Sequence, residues 1–190
     1  ENLFLYEEAL TWAKQALADK SLTLVGHNVC FDLGVLAAED SSLLPLIFEA
    51  LEAGRIKDTQ IREKLLFLAQ GRLSYDYVNK KQRPSFSLAT LVKNRFKVDL
   101  SESKVGEDTW RLRYNELDGV PLEEWPAEAV SYAMDDAQWT YKVYQEQAQP
   151  FHCEGREYAG PGGVTNEDEQ MRAAWGLQLI SLWGIRTDPE

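Results

Sequence analysis

The sequence predicts an α/β fold, because short apolar strands alternate along it with longer segments of helical periodicity. A strand is predicted at 21–25, where Gly26 ends it, and a second, shorter strand is predicted at 55–59. The longest helix is predicted at 126–147 and begins with proline, which the first turn of a helix tolerates well. The order of these elements is typical of a sheet that is flanked by helices.

The other helices are predicted from apolar residues that recur every three or four positions, with glycine after several of them. They are expected at 6–18, 31–38, 43–53, 60–70, 87–96 and 167–183. Two stretches lack such a pattern: 72–85, a polar loop with a basic tip at 80–83, and 97–125, which is rich in charge and tryptophan. We expect both stretches to be irregular.

Composition narrows the classes of function before any motif is considered. The chain of 190 residues is 44% hydrophobic and suits one domain with a short appendage. No apolar run approaches the roughly 20 residues of a membrane span, so no membrane association is expected. The net charge of −11 argues against a surface that coats nucleic acid. An acidic chain is nevertheless compatible with a nuclease whose carboxylates hold metal ions, if a neighbouring domain delivers the DNA.

The beginning of the chain and its cysteines indicate the setting in which it works. Its first residue is Glu1, and no apolar signal-peptide pattern follows, so we expect a piece of a longer, cytoplasmic protein. Only Cys30 and Cys153 are present, which provides no disulfide framework and no zinc cluster. We expect Cys30 to be a packing residue.

The segment 24–32 is the first that carries recognisable chemistry. A strand runs into a glycine turn, and the helix that follows carries Asn28, Phe31 and Asp32 in its first turn. Carboxylates are frequent there because they cap the helix and suit its dipole. Taken alone, the segment is therefore explained by helix capping at least as well as by a catalytic site. His27 is interpreted as a turn residue beside it.

The second such segment lies in the long helix at 126–147. Tyr132 and Asp136 are four positions apart and therefore share one face, among apolar neighbours that indicate partial burial. A carboxylate there needs a partner, and a metal ion is one good candidate; a Tyr–Asp hydrogen bond that closes the core is the alternative. Asp135 points about 100° away around the helix and is predicted to face solvent.

Taken together, the two segments resemble the second and third motifs of DEDD-type 3′–5′ exonucleases of the tyrosine subclass. Further stretches at 57–59, 87–91 and 108–113 are similar to the exonuclease domains of family A DNA polymerases, particularly phage ones. The resemblance covers residues 6–147. It implies a ribonuclease H-like fold, a mixed sheet flanked by helices, whose N-terminal strands are incomplete in this chain.

The resemblance implies a role for each motif residue. Asp32 and Asp136 would hold two Mg²⁺ or Mn²⁺ ions, and these two residues would form the catalytic group with Tyr132, whose hydroxyl would orient the attacking water. Asn28 and Phe31 would bind the terminal nucleotide of a single-stranded or frayed DNA 3′ end. The expected activity is proofreading, the removal of mispaired 3′ nucleotides during replication.

The same resemblance divides the chain into three parts. Residues 1–150 would form the exonuclease domain, 151–166 a glycine-rich linker, and 167–190 the beginning of a polymerase domain. That polymerase domain, in the same parent chain, is the expected partner besides the DNA 3′ end. If the parent is phage-encoded, its expected location is the cytoplasm of the bacterial host.

One motif of the family is missing. The first motif, Asp-x-Glu on an opening strand, matches this sequence only at Asp188-Pro189-Glu190, where proline disfavours a central strand. We reject this match, and therefore expect the chain by itself to lack catalysis unless preceding residues supply the motif. Two alternatives remain open: a catalytically inactive, exonuclease-like scaffold module, and a ribonuclease D-like exoribonuclease.

Overall fold

The computed structural model shows an α-rich α/β structure with a small parallel sheet. The residues it describes are 6–72, 84–100, 110–149, 151–153, 156–158 and 166–184. The basic tip predicted at 80–83 and the Asp-x-Glu match at 188–190 lie outside them. Within the described ranges, no helix is long and apolar enough to cross a membrane.

Eight helices and four strands occupy the described residues. The helices are α1 (Tyr6–Ala18), α2 (Val29–Glu39), α3 (Leu44–Glu52), α4 (Thr59–Ala69), α5 (Leu88–Phe96), α6 (Trp110–Arg113), α7 (Ala127–Gln147) and α8 (Glu167–Trp183). The strands are β1 (Leu24–Gly26), β2 (Ile56–Asp58), β3 (Phe151–Cys153) and β4 (Arg156–Tyr158). The helices predicted from periodicity are confirmed. The two predicted strands are confirmed in shorter form, and the first of them extends to Gly26, one residue beyond its predicted end.

The parallel sheet brings the beginnings of two helices together. β1 pairs with β2, with Leu24 opposite Ile56 and Gly26 opposite Asp58. Because parallel strands end at the same edge of a sheet, α2 and α4 both begin beside that edge. The sheet is compatible with an exonuclease domain. The ribonuclease H-like assignment, with its additional N-terminal strands, stays a prediction.

Short elements occur in the predicted linker and in one of the stretches that are predicted to be irregular. β3 pairs with β4 in antiparallel fashion within 151–166, the predicted linker. Within 97–125, α6 and two 3₁₀ turns, Tyr114–Leu117 and Leu122–Glu124, precede α7. Elements of three or four residues are too short to show a hydrophobic period, so no pattern in the sequence predicts them.

The main hydrophobic core lies between α1, α2, α3, the parallel sheet and α8. Its most deeply buried large side chains include Leu17, Leu43, Ile47, Ile56, Met171 and Trp175. A second, smaller cluster joins α5 to α7 through Leu88, Leu91, Val92 and Val143. Since α7 also contacts β1 and α4, it spans the space between the two clusters.

The helix α8 packs on α2, α3, α4 and β2, although the sequence predicts that a separate domain begins at residue 167. Met171 and Trp175 are each 1% exposed, and Glu167 forms a buried ion pair with Arg62 of α4. The division into domains stays a prediction. The structure adds that α8 completes the core that the preceding elements form.

Candidate active site

A tight turn between β1 and α2 places the first predicted motif. A Cβ atom at Gly26 would lie 2.6 Å from side-chain atoms of Val29, so only glycine allows the strand to approach the helix this closely. Asn28 has left-handed backbone angles, φ 63° and ψ 41°, which asparagine adopts more readily than most residues do. The turn therefore brings Asn28 and, one helical turn later, Asp32 to the same end of α2.

Four of the five predicted site residues line one cleft, which has a volume of about 720 Å³. Asn28 and Asp32 come from the beginning of α2, whereas Tyr132 and Asp136 come from α7. The end of β1 and the beginning of α5 form further parts of the wall. Two motifs that are far apart in the sequence are thus adjacent in the fold.

Tyr132 and Asp136 lie on the same face of α7, as their spacing predicts. Both are half-buried and border the cleft, which argues against a pair that only closes the core. Asp135 is exposed and accepts a hydrogen bond of 3.4 Å from the hydroxyl of Ser131. The predicted direction of Asp135 toward solvent is therefore confirmed.

Tyr114, in the first 3₁₀ turn before α7, packs edge-on against Tyr132 with a distance of 6.2 Å between the ring centroids. Its hydroxyl donates a hydrogen bond of 3.0 Å to the carbonyl oxygen of Ala129. Burial raises the pKa of Tyr114, and the negative charge of Asp136 raises it further. Tyr114 thus supports the ring of Tyr132 and lies within electrostatic reach of Asp136.

The carboxyl of Asp32 ionises less readily than that of an ordinary aspartate. Asp32 is an exposed residue as a whole, although the wall of the cleft partly buries its carboxyl. This burial raises the pKa of Asp32 to about 6, and the negative charge of Asp58 contributes to the same shift. A divalent cation in the cleft would relieve this concentration of negative charge.

The raised pKa predicts how Asp32 affects stability. Since the folded protein binds the Asp32 proton more tightly than the unfolded chain does, the free energy of unfolding falls as the pH rises from the ordinary pKa of aspartate to about 6. In chelator at neutral pH, Asp32→Asn should therefore have a slightly higher midpoint of thermal unfolding than the wild type; the difference is small because solvent screens the charge of an exposed residue. At acid pH, where the wild-type carboxyl is protonated in both states, this difference should disappear.

The control for this prediction is Asp118→Asn, which removes an exposed carboxylate outside the cleft and should have little effect at either pH. The midpoints are measured by circular dichroism with all variants in the same buffers. If Asp32→Asn unfolds at or below the wild-type temperature at neutral pH, the carboxylate does not carry the electrostatic cost that its surroundings indicate.

The remaining residues of the first motif differ in their placement. Phe31 is 57% exposed and is not among the residues that line the cleft, so its contact with a nucleotide stays a prediction. Cys30 is buried, and burial raises the pKa of its thiol to about 11, which agrees with the predicted packing role. His27 lines the cleft, and its Nδ1 lies 2.9 Å from the hydroxyl oxygen of Thr59.

At the cleft, Gln60 and Thr140 carry no signal in the sequence patterns, whereas Ser87 belongs to the stretch 87–91 that resembles the family. Gln60 of α4, Ser87 beside the first turn of α5 and Thr140 of α7 line the cleft and become neighbours only through packing. Asp58 does not line the cleft; it lies in the stretch 57–59 that resembles the family and ends the strand that pairs with β1. Side chains that follow parallel strands meet at one edge of the sheet, and this rule identifies Asp58 once the pairing is known.

The described residues hold no group of three or more histidine, cysteine, aspartate or glutamate side chains that is placed to bind a metal ion. Asp32 and Asp136 nevertheless line one cleft, and Mg²⁺ is commonly bound by one or two carboxylates together with water and substrate phosphates. The donor chemistry therefore fits a hard divalent cation. These two carboxylates are too few to bind it without other ligands.

Comparison with protein families identifies the class to which the chain belongs. Residues 3–148 match the family model of the 3′–5′ exonuclease domain associated with DNA polymerase A. The match covers most of the chain, and the protein belongs to this family. No curated protein and no solved structure matches the chain. A 3′–5′ exonuclease is thus the supported class of activity, and exonuclease domains of this family are normally metal-dependent.

Proposed function

We propose that this protein is a metal-dependent 3′–5′ exodeoxyribonuclease of the tyrosine DEDD subclass, with the cleft as its active site. The supporting observation is that Asn28, Asp32, Tyr132 and Asp136 line one cleft in a chain that belongs to an exonuclease family. The substrate would be the 3′ end of a single or frayed DNA strand. The reaction would be hydrolysis of its last phosphodiester bond.

The proposed roles follow from the chemistry of the side chains. Asp32 and Asp136 would hold two Mg²⁺ or Mn²⁺ ions, which when bound stabilise charge on the attacking and leaving oxygens. Tyr132 would orient the attacking water through its hydroxyl, with its ring supported by Tyr114. The side-chain amide of Asn28 would form hydrogen bonds with the terminal nucleotide.

The wider setting is part of the same proposal. We infer a family A DNA polymerase as the parent protein, with the Asp-x-Glu motif preceding the segment 6–147 and the polymerase domain following it. Its activity would be proofreading in the cytoplasm, that of a bacterial host if the parent is phage-encoded. The matching family supports this setting, and the small number of carboxylates at the described cleft supports further ligands from elsewhere.

The proposal is tested with the parent protein on single-stranded DNA that is labelled at its 5′ end. We expect shortening from the 3′ end, one nucleotide at a time, that requires Mg²⁺ or Mn²⁺ and stops in chelator. RNA of the same sequence is the matched control and should be degraded much more slowly. Faster degradation of RNA would favour a ribonuclease D-like enzyme, and degradation of neither strand would favour an inactive scaffold.

Tyr132→Phe is expected to lower the rate of hydrolysis about 10- to 100-fold, because the ring remains but the hydroxyl that orients water is lost. Metal binding should be retained, since no carboxylate changes. The rate is measured under single-turnover conditions and Mn²⁺ affinity by calorimetry, with Tyr141→Phe, an exposed tyrosine of α7, as the control. Equal losses of metal affinity in Tyr132→Phe and Asp136→Ala would argue against this division of roles.

A further inference from the structure

Asp58, the last residue of β2, is 2% exposed, and its carboxylate accepts hydrogen bonds from the beginnings of two helices. Its Oδ1 accepts hydrogen bonds from the backbone N–H groups of Gln60 at 2.7 Å and Ile61 at 3.2 Å, in the first turn of α4. Its Oδ2 accepts a hydrogen bond of 2.8 Å from the N–H of Val29, the first residue of α2. The carboxylate is thus shared between two helices that begin at neighbouring strand ends.

The helix α2 depends on this distant cap because its own cap residue does not serve it. Asn28 occupies the position where a side chain normally caps a helix, yet its side chain makes no capping hydrogen bond. By contrast, α5 is capped locally by Ser87, whose hydroxyl oxygen accepts a hydrogen bond from the N–H of Thr90. Because Asp58 caps α2, the side chain of Asn28 does not have to, and Asn28 lines the cleft.

We propose that Asp58 is a positioning residue of the exonuclease site, which fixes the first turn of α2, and with it Asn28 and Asp32, against α4. A buried carboxylate is costly unless it is paired. Here three backbone N–H groups at two helix N-termini satisfy it, and the helix dipoles favour an anion there. The catalytic consequence rests on the proposed function, whereas the geometry rests on the hydrogen bonds alone.

Asp58→Asn should remove the cap of α2 and keep the cap of α4, so it distinguishes the two contributions of the carboxylate. The asparagine side chain has a similar size and one carbonyl oxygen, which can still cap α4. This oxygen should stay at α4, where it accepts two hydrogen bonds rather than one. The amide group, which is a donor, would then face the N–H of Val29, and the hydrogen bond to α2 is lost. Asp40→Asn is the matched control, because Asp40 caps the 3₁₀ turn before α3 through the N–H of Ser42 and lies outside the cleft.

Amide hydrogen exchange, measured by NMR on this chain, tests the geometry. In Asp58→Asn we expect the Val29 amide to exchange at least about tenfold faster, relative to amides in the middle of α7, because a hydrogen bond to a charged group is lost. Asp40→Asn should leave this ratio unchanged. Unchanged exchange of Val29 in a folded Asp58→Asn protein would overturn the proposal. If that variant does not fold, Asp58→Ser takes its place, since the serine hydroxyl still caps α4.

Steady-state kinetics of the parent protein test the catalytic consequence. We expect kcat of Asp58→Asn to fall about 10- to 100-fold, as for other residues that orient metal ligands, while KM for DNA changes far less. Rates are measured at a temperature at which both proteins are folded. A wild-type kcat combined with fast Val29 exchange would overturn the positioning role. A wild-type protein without exonuclease activity would refute the proposed function, and the exchange experiment would still decide the geometry.

Discussion

Asp136→Ala in the parent protein is expected to lower the exonuclease rate at least about 100-fold, because residues that only orient metal ligands already contribute about 10- to 100-fold. Alanine offers no oxygen atom to the cleft, which Asp136 lines together with Asp32 and Tyr132. In the family A polymerase that we propose as the parent, DNA polymerisation should stay near its wild-type rate, since the change is confined to this cleft. The separation of the two activities is the expected signature of a dedicated exonuclease site.

The matched control is Asp135→Ala, which removes a carboxylate from the neighbouring position of α7. Asp135 is exposed and is not among the residues that line the cleft, so the exonuclease rate should stay near that of the wild type. All three proteins are compared on the same 5′-labelled strand, and primer extension reports polymerisation. Undiminished proofreading in Asp136→Ala, or an equal loss in Asp135→Ala, would refute the role of Asp136.

Glu167→Ala is expected to lower the free energy of unfolding by about 3–5 kcal/mol, the usual cost of removing one partner of a buried ion pair. Arg62 is 1% exposed, and its Nε and Nη2 donate hydrogen bonds of 2.9 and 3.1 Å to the two carboxylate oxygens of Glu167. Its guanidinium carbon also lies 4.4 Å from the ring centroid of Tyr144 on α7. Without Glu167, the charge of Arg62 would stay buried and lose this counter-ion.

Two further variants show whether the lost stability comes from breaking the buried ion pair or merely from removing a charge on α8. Glu169→Ala removes an exposed carboxylate 3.6 Å from Arg172 and should cost no more than about 1 kcal/mol. Arg62→Met combined with Glu167→Leu replaces the pair with apolar side chains and should recover most of the lost stability. Unfolding is measured in urea. Equal, small effects of Glu167→Ala and Glu169→Ala would show that this pair does not anchor α8 to α4.

The helices were predictable because a helix that covers a core must repeat its apolar residues at the helical period. α1 and α8 have the bounds that this pattern predicts. The parallel pairing of β1 with β2 was not predictable, since strands of three residues are too short to specify partner or register. Nor does the sequence of α8 indicate which core it joins, because its apolar residues would suit any hydrophobic surface.

The candidate site was predictable to a different extent for each residue. Helical spacing alone assigns Tyr132 and Asp136 to one face, and the resemblance of two motifs adds Asn28 and Asp32. The raised pKa of Asp32 could not be predicted from the sequence. It depends on burial of the carboxyl and on the charge of Asp58, and both are known only from the folded structure. The capping of α2 from β2 is likewise a tertiary contact that leaves no local pattern in the sequence.

The claim that this cleft is the metal-binding active site is tested most directly by crystals of the parent protein grown with Mn²⁺ and a deoxynucleoside monophosphate. Manganese is located by its anomalous scattering, independently of the surrounding density. We expect an anomalous peak in contact with the carboxylates of Asp32 and Asp136, with the nucleotide phosphate beside it. An active parent protein whose manganese peaks lie only outside this cleft would contradict the claim.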